Sequence, residues 1–503
     1  MRVNTARLIL SALLTQPEKT AIHDGTRAFA RRDVLREVRR RAEAFLKGGV
    51  KPGDRVIVVS DRGAPFWMDV LALWVVGGVA VCIEATAQAD HAENAVSLTE
   101  PIGACLAGAP ANEVFDALPR LDGATTPGED AADSRTVFYG MPWVADADLP
   151  DIALLTFTSG TTGLPKGVPL GHGVMIANIQ GTAGRVGLKP SDRVMTATSY
   201  RFFSTISHFL VTMLTGGTFV GIEEKLMGRD FIDALREHGI TAFGGSPFHL
   251  RMISYADQTQ LPALRWMMSS GDHLPVEVID ALLEGFPEAE LHTVYGMVEL
   301  AGRFCSLTPE GLTESRGSVG EPIPGLEVVV LDEDGAPCPP GEIGHIHARG
   351  AISFAGYYRN EAATDAVLGP AGFRTGDMGR FDEHGRLYLA GRSDSVFKRS
   401  GVKVSALPIT DALEQLDFVA EAFAIGEADP TEGHSPTAYL VLSENADAAG
   451  MKKGVVIRAL RPLVPQNHLP KKVVLVPSIP RTGSGKVDRR ALKELAANDG
   501  AAL

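Results

Sequence analysis

Apolar positions recur along the chain with two periods. In residues 31–49 (RRDVLREVRRRAEAFLKGG), Val34, Leu35, Val38, Phe45 and Leu46 fall on one helical face and the arginines on the other. That pattern predicts an amphipathic helix with a solvated basic side. Leu8–Leu14 reads as a second amphipathic helix, short and without the small-residue cleavage site of a secretory signal. Residues 53–60 (GDRVIVVS) form a continuous apolar run, the kind of strand that parallel sheets bury on both faces. Val70–Ile83 is the longest apolar run, too short to span a bilayer. Gly77 and Gly78 divide it into a buried helix and a core strand.

Between Asp151 and Leu300 the same alternation resumes in ALLTFTSG, DRVMTATS, GGTFVGI, ITAFGGSP, RWMMSSG and ELHTVYG. Helices alternating with such strands imply a layered α/β core. Several of the runs pass directly into Gly, Ser or Thr, and ligands bind at the carboxyl ends of parallel strands. From Gly317 to Leu389 short strands with Gly/Pro turns predict an antiparallel, β-barrel-like region. After Gly391 a compact α+β segment ends in a helix over KVDRRALKELAAN. Leu121–Ser134 is small, acidic and contains Pro and Gly, so it reads as a loop or linker. The expected division is an N-terminal domain over 1–391, a hinge at 392–394 and a C-terminal domain over 395–503.

Composition narrows the function. At 503 residues the chain exceeds a single core, so two or more domains are expected. A net charge of -13 argues against a dedicated nucleic-acid binder, which needs a basic surface. Cys82, Cys105, Cys305 and Cys338 are widely separated, which suggests neither a disulfide framework nor a structural zinc site and fits a reducing cytoplasm. A cytoplasmic protein with no membrane association, monomeric or homodimeric, is the expectation.

The strongest local signal is Thr156–Val168 (TFTSGTTGLPKGV). A Gly/Ser/Thr-rich loop after a strand turns backbone N–H groups and hydroxyls toward phosphate oxygens, and Lys166 adds a positive charge. It is not a Walker A loop, because Pro165 stands where the second glycine belongs. The string resembles the phosphate loop of the adenylate-forming superfamily: acyl-CoA synthetases, nonribosomal peptide adenylation domains and luciferases. The resemblance continues in family order through Val294–Glu299 (VYGMVE), Phe373–Gly379 (FRTGDMG), Gly391–Asp394 (GRSD) and Pro480–Arg489 (PRTGSGKVDR).

That resemblance implies a large N-terminal domain of layered α/β subdomains and a mobile small lid. It also implies a two-step reaction using ATP and Mg²⁺: a carboxylate attacks the α-phosphate, pyrophosphate leaves, and the acyl group passes to a thiol. Thr158, Ser159, Gly160, Thr161, Thr162, Gly163 and Lys166 would bind phosphate. Ser270, Gly271, Asp272, Tyr295, Gly296, Asp377 and Arg392 would bind adenine and ribose, with Tyr295 stacking on the base and Asp377 accepting from the ribose hydroxyls. Glu299 would hold Mg²⁺, and Lys486 would bridge carboxylate and phosphate. Asp394 sits at the hinge position, about which the lid would swing to bring either Lys486 or Ser400-Gly401 to the site. Taken singly, Asp377 could cap a turn, Glu299 could pair on a helix, Lys486 could be solvated and Asp394 could make an inter-domain ion pair.

Two departures stand out: Val298 replaces the family's usual Thr, and Ala406, Pro408 and Thr410 replace a Pro and two acidic residues after the thiol-transfer loop. The acyl pocket is assigned to Phe202, Phe203, Phe243, Gly244, Gly245, Met297, Val298, Ala301 and Arg303. Core packing is an equal alternative for Phe202 and Phe203. Phe203 stands where amino-acid-activating relatives carry Asp, so an α-amino acid is disfavoured and an apolar acyl or aryl acid is expected. Arg201 and Arg303 are unusual near such a pocket: either could pair with a second substrate anion, and the surface is the favoured place for both. No carrier segment follows Leu503, so a free-standing acyl-CoA synthetase using coenzyme A is expected. The phosphopantetheine of a separate acyl carrier protein is the alternative acceptor. A non-catalytic nucleotide-binding member, suggested by Val298, is the alternative of another class.

Overall fold

The computed structural model describes residues 3–60, 63–84, 87–106, 112–121, 133–158, 164–184, 187–222, 226–350, 354–393, 395–400, 402–443, 446, 450–481, 487–498 and 501–503. Three sheets organise the chain. The first, of five strands, runs in the order Gly103–Cys105, Arg55–Ser60, Val79–Glu84, Leu154–Phe157, Gly167–Leu170. Its pairs are parallel except the last, which is antiparallel. The apolar run that precedes Val79–Glu84 is the helix Ala64–Val75, buried almost throughout. A helix apolar on every side must be covered on every side, and Trp67 stacks on Phe209 with ring centroids 4.0 Å apart.

The second sheet has a parallel core of Glu290–Met297, Trp266–Ser270, Ala242–Gly245, Arg193–Thr196, Thr218–Val220 and Thr20–His23. The strand Gly302–Leu307 turns it antiparallel, and Ser318–Pro322, Leu387–Arg392, Gly372–Phe381, Gly344–Gly350 and Leu326–Leu331 continue it. The antiparallel region expected after Gly317 is therefore hydrogen-bonded onto the parallel sheet.

The third sheet belongs to the small C-terminal unit, with the long hairpin Val419–Asp429 and Gly433–Leu442 at its centre. The predicted terminal helix is Arg489–Asn498. Among the described residues no helix is long and apolar enough to cross a membrane.

Helix Arg31–Lys47 buries Val34, Leu35, Val38 and Phe45 as its pattern predicts, but Leu46 is exposed, at the edge of the stripe. The solvated basic face also needs correction. Arg31 is buried and donates to the carbonyls of Thr15 and Gly216, while Arg41 pairs with Asp69 and Glu37. Burying a guanidinium is costly, and these hydrogen bonds and ion pairs offset much of that cost.

Candidate active site

The Gly/Ser/Thr loop connects the antiparallel strands Leu154–Phe157 and Gly167–Leu170. Its base is closed twice: the Thr158 N–H donates to the Lys166 carbonyl at 3.0 Å, and the Lys166 N–H to Thr158 Oγ1 at 3.1 Å. Ser159, Gly160, Thr161, Thr162 and Gly163 lie outside the described residues, as do Asp394, Gly401 and Lys486.

Lys166 leads to the next element. Its Nζ sits 4.7 Å from the centroid of the Tyr357 ring, and the Tyr357 hydroxyl donates to Glu299 Oε1 at 3.0 Å. The neighbouring Tyr358 N–H donates to the Gly167 carbonyl at 2.8 Å, which fixes the Tyr357 segment on the base of the loop. Burial and the Glu299 charge push the Tyr357 hydroxyl up, so it stays a donor. Tyr357 was not singled out in the sequence: no motif surrounds it, and only its place after the strand region brings it to the loop.

Glu299 stands on a short turn after Glu290–Met297, and the same strand carries Tyr295 and Gly296. The Tyr295 hydroxyl donates to Asp377 Oδ2, and its buried ring lies against Phe304, centroids 4.2 Å apart. Burial first, then the Asp377 carboxylate, holds this phenol far above its usual range. Asp377 and Arg392 face each other as register partners on adjacent strands, with Nη1 to Oδ1 at 3.3 Å. The Asp377 N–H donates to Thr375 Oγ1 at 3.1 Å. Ser270 ends the strand Trp266–Ser270 next to exposed Gly271 and Asp272. Tyr295, Asp377 and Arg392 thus form one hydrogen-bonded and ion-paired group, whereas Ser400 lies at the exposed tip of a small-domain hairpin, its N–H donating to the Glu432 carbonyl at 2.9 Å.

The acyl-pocket set divides. Phe243 packs against Phe231, centroids 5.4 Å apart, on the far side of its strand, so it belongs to a core cluster and does not line a pocket. Gly244, the next residue, presents the opposite face: a Cβ there would come 2.3 Å from His208 Nε2. Phe203 is buried and fills the space beside Gly302. Ala301 belongs to the same large core as Phe203, and Met297 and Val298 pack against that core. Half-buried Phe202 carries the Arg201 guanidinium 4.0 Å from its ring centroid, and Arg201 pairs with Glu84 at 3.1 Å. The surface placement favoured for the two arginines fails for Arg303, which is 7% exposed. Its Nη2 lies 3.3 Å from His208 Nε2.

Among the described residues no cluster of three or more His, Cys, Asp or Glu could form a protein cage for a metal. A single carboxylate held by Tyr357 fits Mg²⁺ of the kind that keeps its waters and bridges substrate phosphates.

The sequence model described as AMP-binding enzyme matches residues 11–358, and that described as AMP-binding enzyme C-terminal domain matches residues 409–486. The 2-succinylbenzoate–CoA ligase of Bacillus velezensis is 27% identical over 97% of this chain and 97% of its own length. The probable non-canonical nonribosomal peptide synthetase CymA of Salinispora arenicola is 30% identical over 97% of this chain, which spans only 6% of that much longer protein. A structure of o-succinylbenzoate coenzyme A synthetase from Bacillus subtilis with ATP and magnesium ion superimposes with a TM-score of 0.81 at 22% identity, covering 97% of this chain and 99% of that one. With a family match over more than half of its length and the same two-domain fold, the chain belongs to the AMP-binding enzymes, the adenylate-forming family of AMP-forming acid–thiol ligases.

Proposed function

We propose that the protein is an acyl-CoA synthetase that activates a carboxylic acid with ATP and transfers the acyl group to coenzyme A. The observation that carries this reading is the connected set Lys166–Tyr357–Glu299, next to the group Tyr295–Asp377–Arg392 that the second sheet brings together. In the first half-reaction a carboxylate oxygen attacks the α-phosphorus in line as the bond to pyrophosphate breaks. In the second, the thiol sulfur attacks the acyl carbon and AMP leaves. Two anions meet in the first step, so positioning and charge neutralisation dominate.

Thr158, Lys166 and the loop 159–163 hold the phosphates in this reading, and Asp377 with Arg392 takes the ribose. Glu299 would hold Mg²⁺, which would supply charge neutralisation when bound. Lys486 approaches from the small domain for adenylation, and Ser400-Gly401 serves the thiol step after rotation about Asp394. An α-amino acid is disfavoured, since buried Phe203 leaves no counter-charge for an ammonium. The similarity to CymA supports a second reading in which a carrier protein's phosphopantetheine is the acceptor.

The test is incubation with ATP, Mg²⁺ and a pool of aliphatic and aromatic acids, hydroxylamine being the trap, with and without CoA. Hydroxamates without CoA, and acyl-CoA thioesters with release of AMP when CoA replaces hydroxylamine, are the expected result. Hydroxamates indifferent to CoA would move the reading to a carrier protein, and no pyrophosphate with any acid would sink it.

A further inference from the structure

Arg201 and Arg303 both lie beside the candidate acyl pocket, and their charges are treated differently. Arg201 is neutralised by Glu84 at 3.1 Å. Arg303, on the strand Gly302–Leu307, is more than nine-tenths buried and has no carboxylate within ion-pair distance among the described residues. One arm, Nη2, meets His208 Nε2 at 3.3 Å. The other, Nη1, is shielded from solvent and makes no hydrogen bond.

His208 cannot supply the missing charge. Its Nδ1 lies 2.7 Å from the Ser204 carbonyl, which can only accept, so Nδ1 carries the proton and Nε2 presents a lone pair to Arg303. Burial and the adjacent guanidinium hold His208 neutral, down to about 3. Burial alone also pulls Arg303 down to about 10, leaving it charged near neutral pH. Leaving a buried cation with a free donor arm is costly, and such a group is retained where something anionic completes it.

The surroundings set Arg303 and His208 beside residues of the proposed acyl pocket. His208 Nε2 lies directly over Gly244, where a Cβ would stand 2.3 Å from it, and Gly302, which precedes Arg303, abuts Phe203. Trp266, 6.2 Å from His208 between ring centroids, contributes a second buried donor, Nε1, that also has no partner. Arg303, His208 and Trp266 therefore place two unmet donors behind the proposed pocket walls Phe203 and Gly244.

We propose that Arg303 is a specificity-determining residue that receives an anionic oxygen group of the substrate distinct from the carboxyl that is activated, so that the acid is a dicarboxylate or a phenolate-bearing acid rather than a wholly apolar one. This rests on the acid-activating reading of the site. A planar guanidinium matches a carboxylate's two oxygens in a fork, which neither His208 nor a lysine could reproduce.

The test uses matched acids that differ only in the second group: benzoate against its ring-carboxylated and ring-hydroxylated forms, and straight-chain monoacids against diacids of equal length. Pyrophosphate release is read for the wild type, Arg303→Met and Arg303→Lys. The wild type is expected to prefer one doubly acidic series, carboxylate or phenolate, which identifies the group. Arg303→Met should lose about 30-fold or more in kcat/KM for the preferred acid and distinctly less for its monoacid partner, so that the ratio between the two collapses. Arg303→Lys should fall between. Thermal melting separates this from a structural role: without substrate, Arg303→Met should melt no lower than wild type, because an unpaired buried charge is replaced by an apolar chain. The preferred acid alone should raise the melting temperature of the wild type and not of Arg303→Met.

A wild type that favours the monoacid of every pair, or an Arg303→Met whose discrimination is unchanged, overturns the proposal. If no acid releases pyrophosphate, the ligase reading fails, while the melting shifts still decide Arg303: a shift with a doubly acidic compound that Arg303→Met abolishes supports it, and no shift overturns it.

Discussion

In the proposed reading Glu299 holds a hydrated cation, a task for which a carboxylate has to be aimed, and one neighbour that aims it is Tyr357. Its hydroxyl donates to Oε1 at 3.0 Å while its ring lies under the Lys166 ammonium. The two contacts can be separated. Tyr357→Phe keeps the ring under Lys166 and deletes only the hydrogen bond. A hydrogen bond to a charged acceptor contributes about 1.5–3 kcal/mol, so pyrophosphate formation should fall about tenfold or more. Half-saturation by Mg²⁺ should shift to higher concentration. Tyr357→Ala, which also removes the cation–π contact, should lose more. Unchanged Mg²⁺ dependence in Tyr357→Phe would detach Tyr357 from the metal site. The Asp377 carboxylate is aimed by the same logic through Tyr295, while the Asp377 N–H is held by the Thr375 hydroxyl, and in both cases a tyrosine hydroxyl donates to the carboxylate.

At the scale of elements, the hairpin Glu290–Met297 with Gly302–Leu307 brings Tyr295, Glu299 and Arg303 together, and it closes only because position 296 is glycine. A Cβ there would lie 1.6 Å from the Gly302 carbonyl oxygen, and backbone cannot rotate aside. Gly296→Ala should therefore cost about 3 kcal/mol or more. It should appear as a clear drop in melting temperature together with loss of adenylation; a melting temperature within a degree of wild type would show that the hairpin reshapes freely. The glycine of VYGMVE was legible as a motif position, but its reason was not, because Gly302 reaches it only after the chain reverses. Leu8–Leu14, Val70–Ile83 and the six strands between Asp151 and Leu300 were legible for the opposite reason: their periodicity is local and burial enforces it. Phe243 failed because adjacent strand residues face opposite ways, so the motif's neighbours could not all line one pocket. Arg303 failed because burial of a cation is rare, and the neutral acceptor that one of its arms meets, His208, is 95 positions away.

Across the whole molecule, the small domain docks on the large one through charged groups. His273 Nε2 meets Asp411 Oδ2 at 3.1 Å, and Arg251 binds Glu414 with Glu277 at 3.7 Å. Burial works against the His273 proton, yet Asp411, with Asp272 and Glu277 nearby, holds its pKa up to about 9. Burial and the charges of Glu414 and Asp411 push Glu277 up as well, while Arg251 stays charged throughout. The signs agree. Released from Asp411, His273 would titrate near its ordinary value of about 6.5; its contribution to docking is thus complete below that pH and is lost as pH rises through about 9. Glu277, raised, is tolerated in the docked form while protonated and repels Glu414 once ionised, so it too favours docking at the acid end. Small-angle scattering should show the particle expanding between pH 7 and pH 9.5, and protease cleavage near residues 392–394 should quicken over the same range. His273→Gln removes the group whose titration is centred near 9 and should flatten the upper part of that profile, leaving the Glu277 part. A profile identical to wild type in His273→Gln would mean that the Arg251 cluster alone governs docking. If the small domain exchanges positions during the proposed two-step reaction, it needs a contact it can leave, and a half-buried His–Asp pair with a neighbouring carboxylate supplies one whose strength depends on a proton.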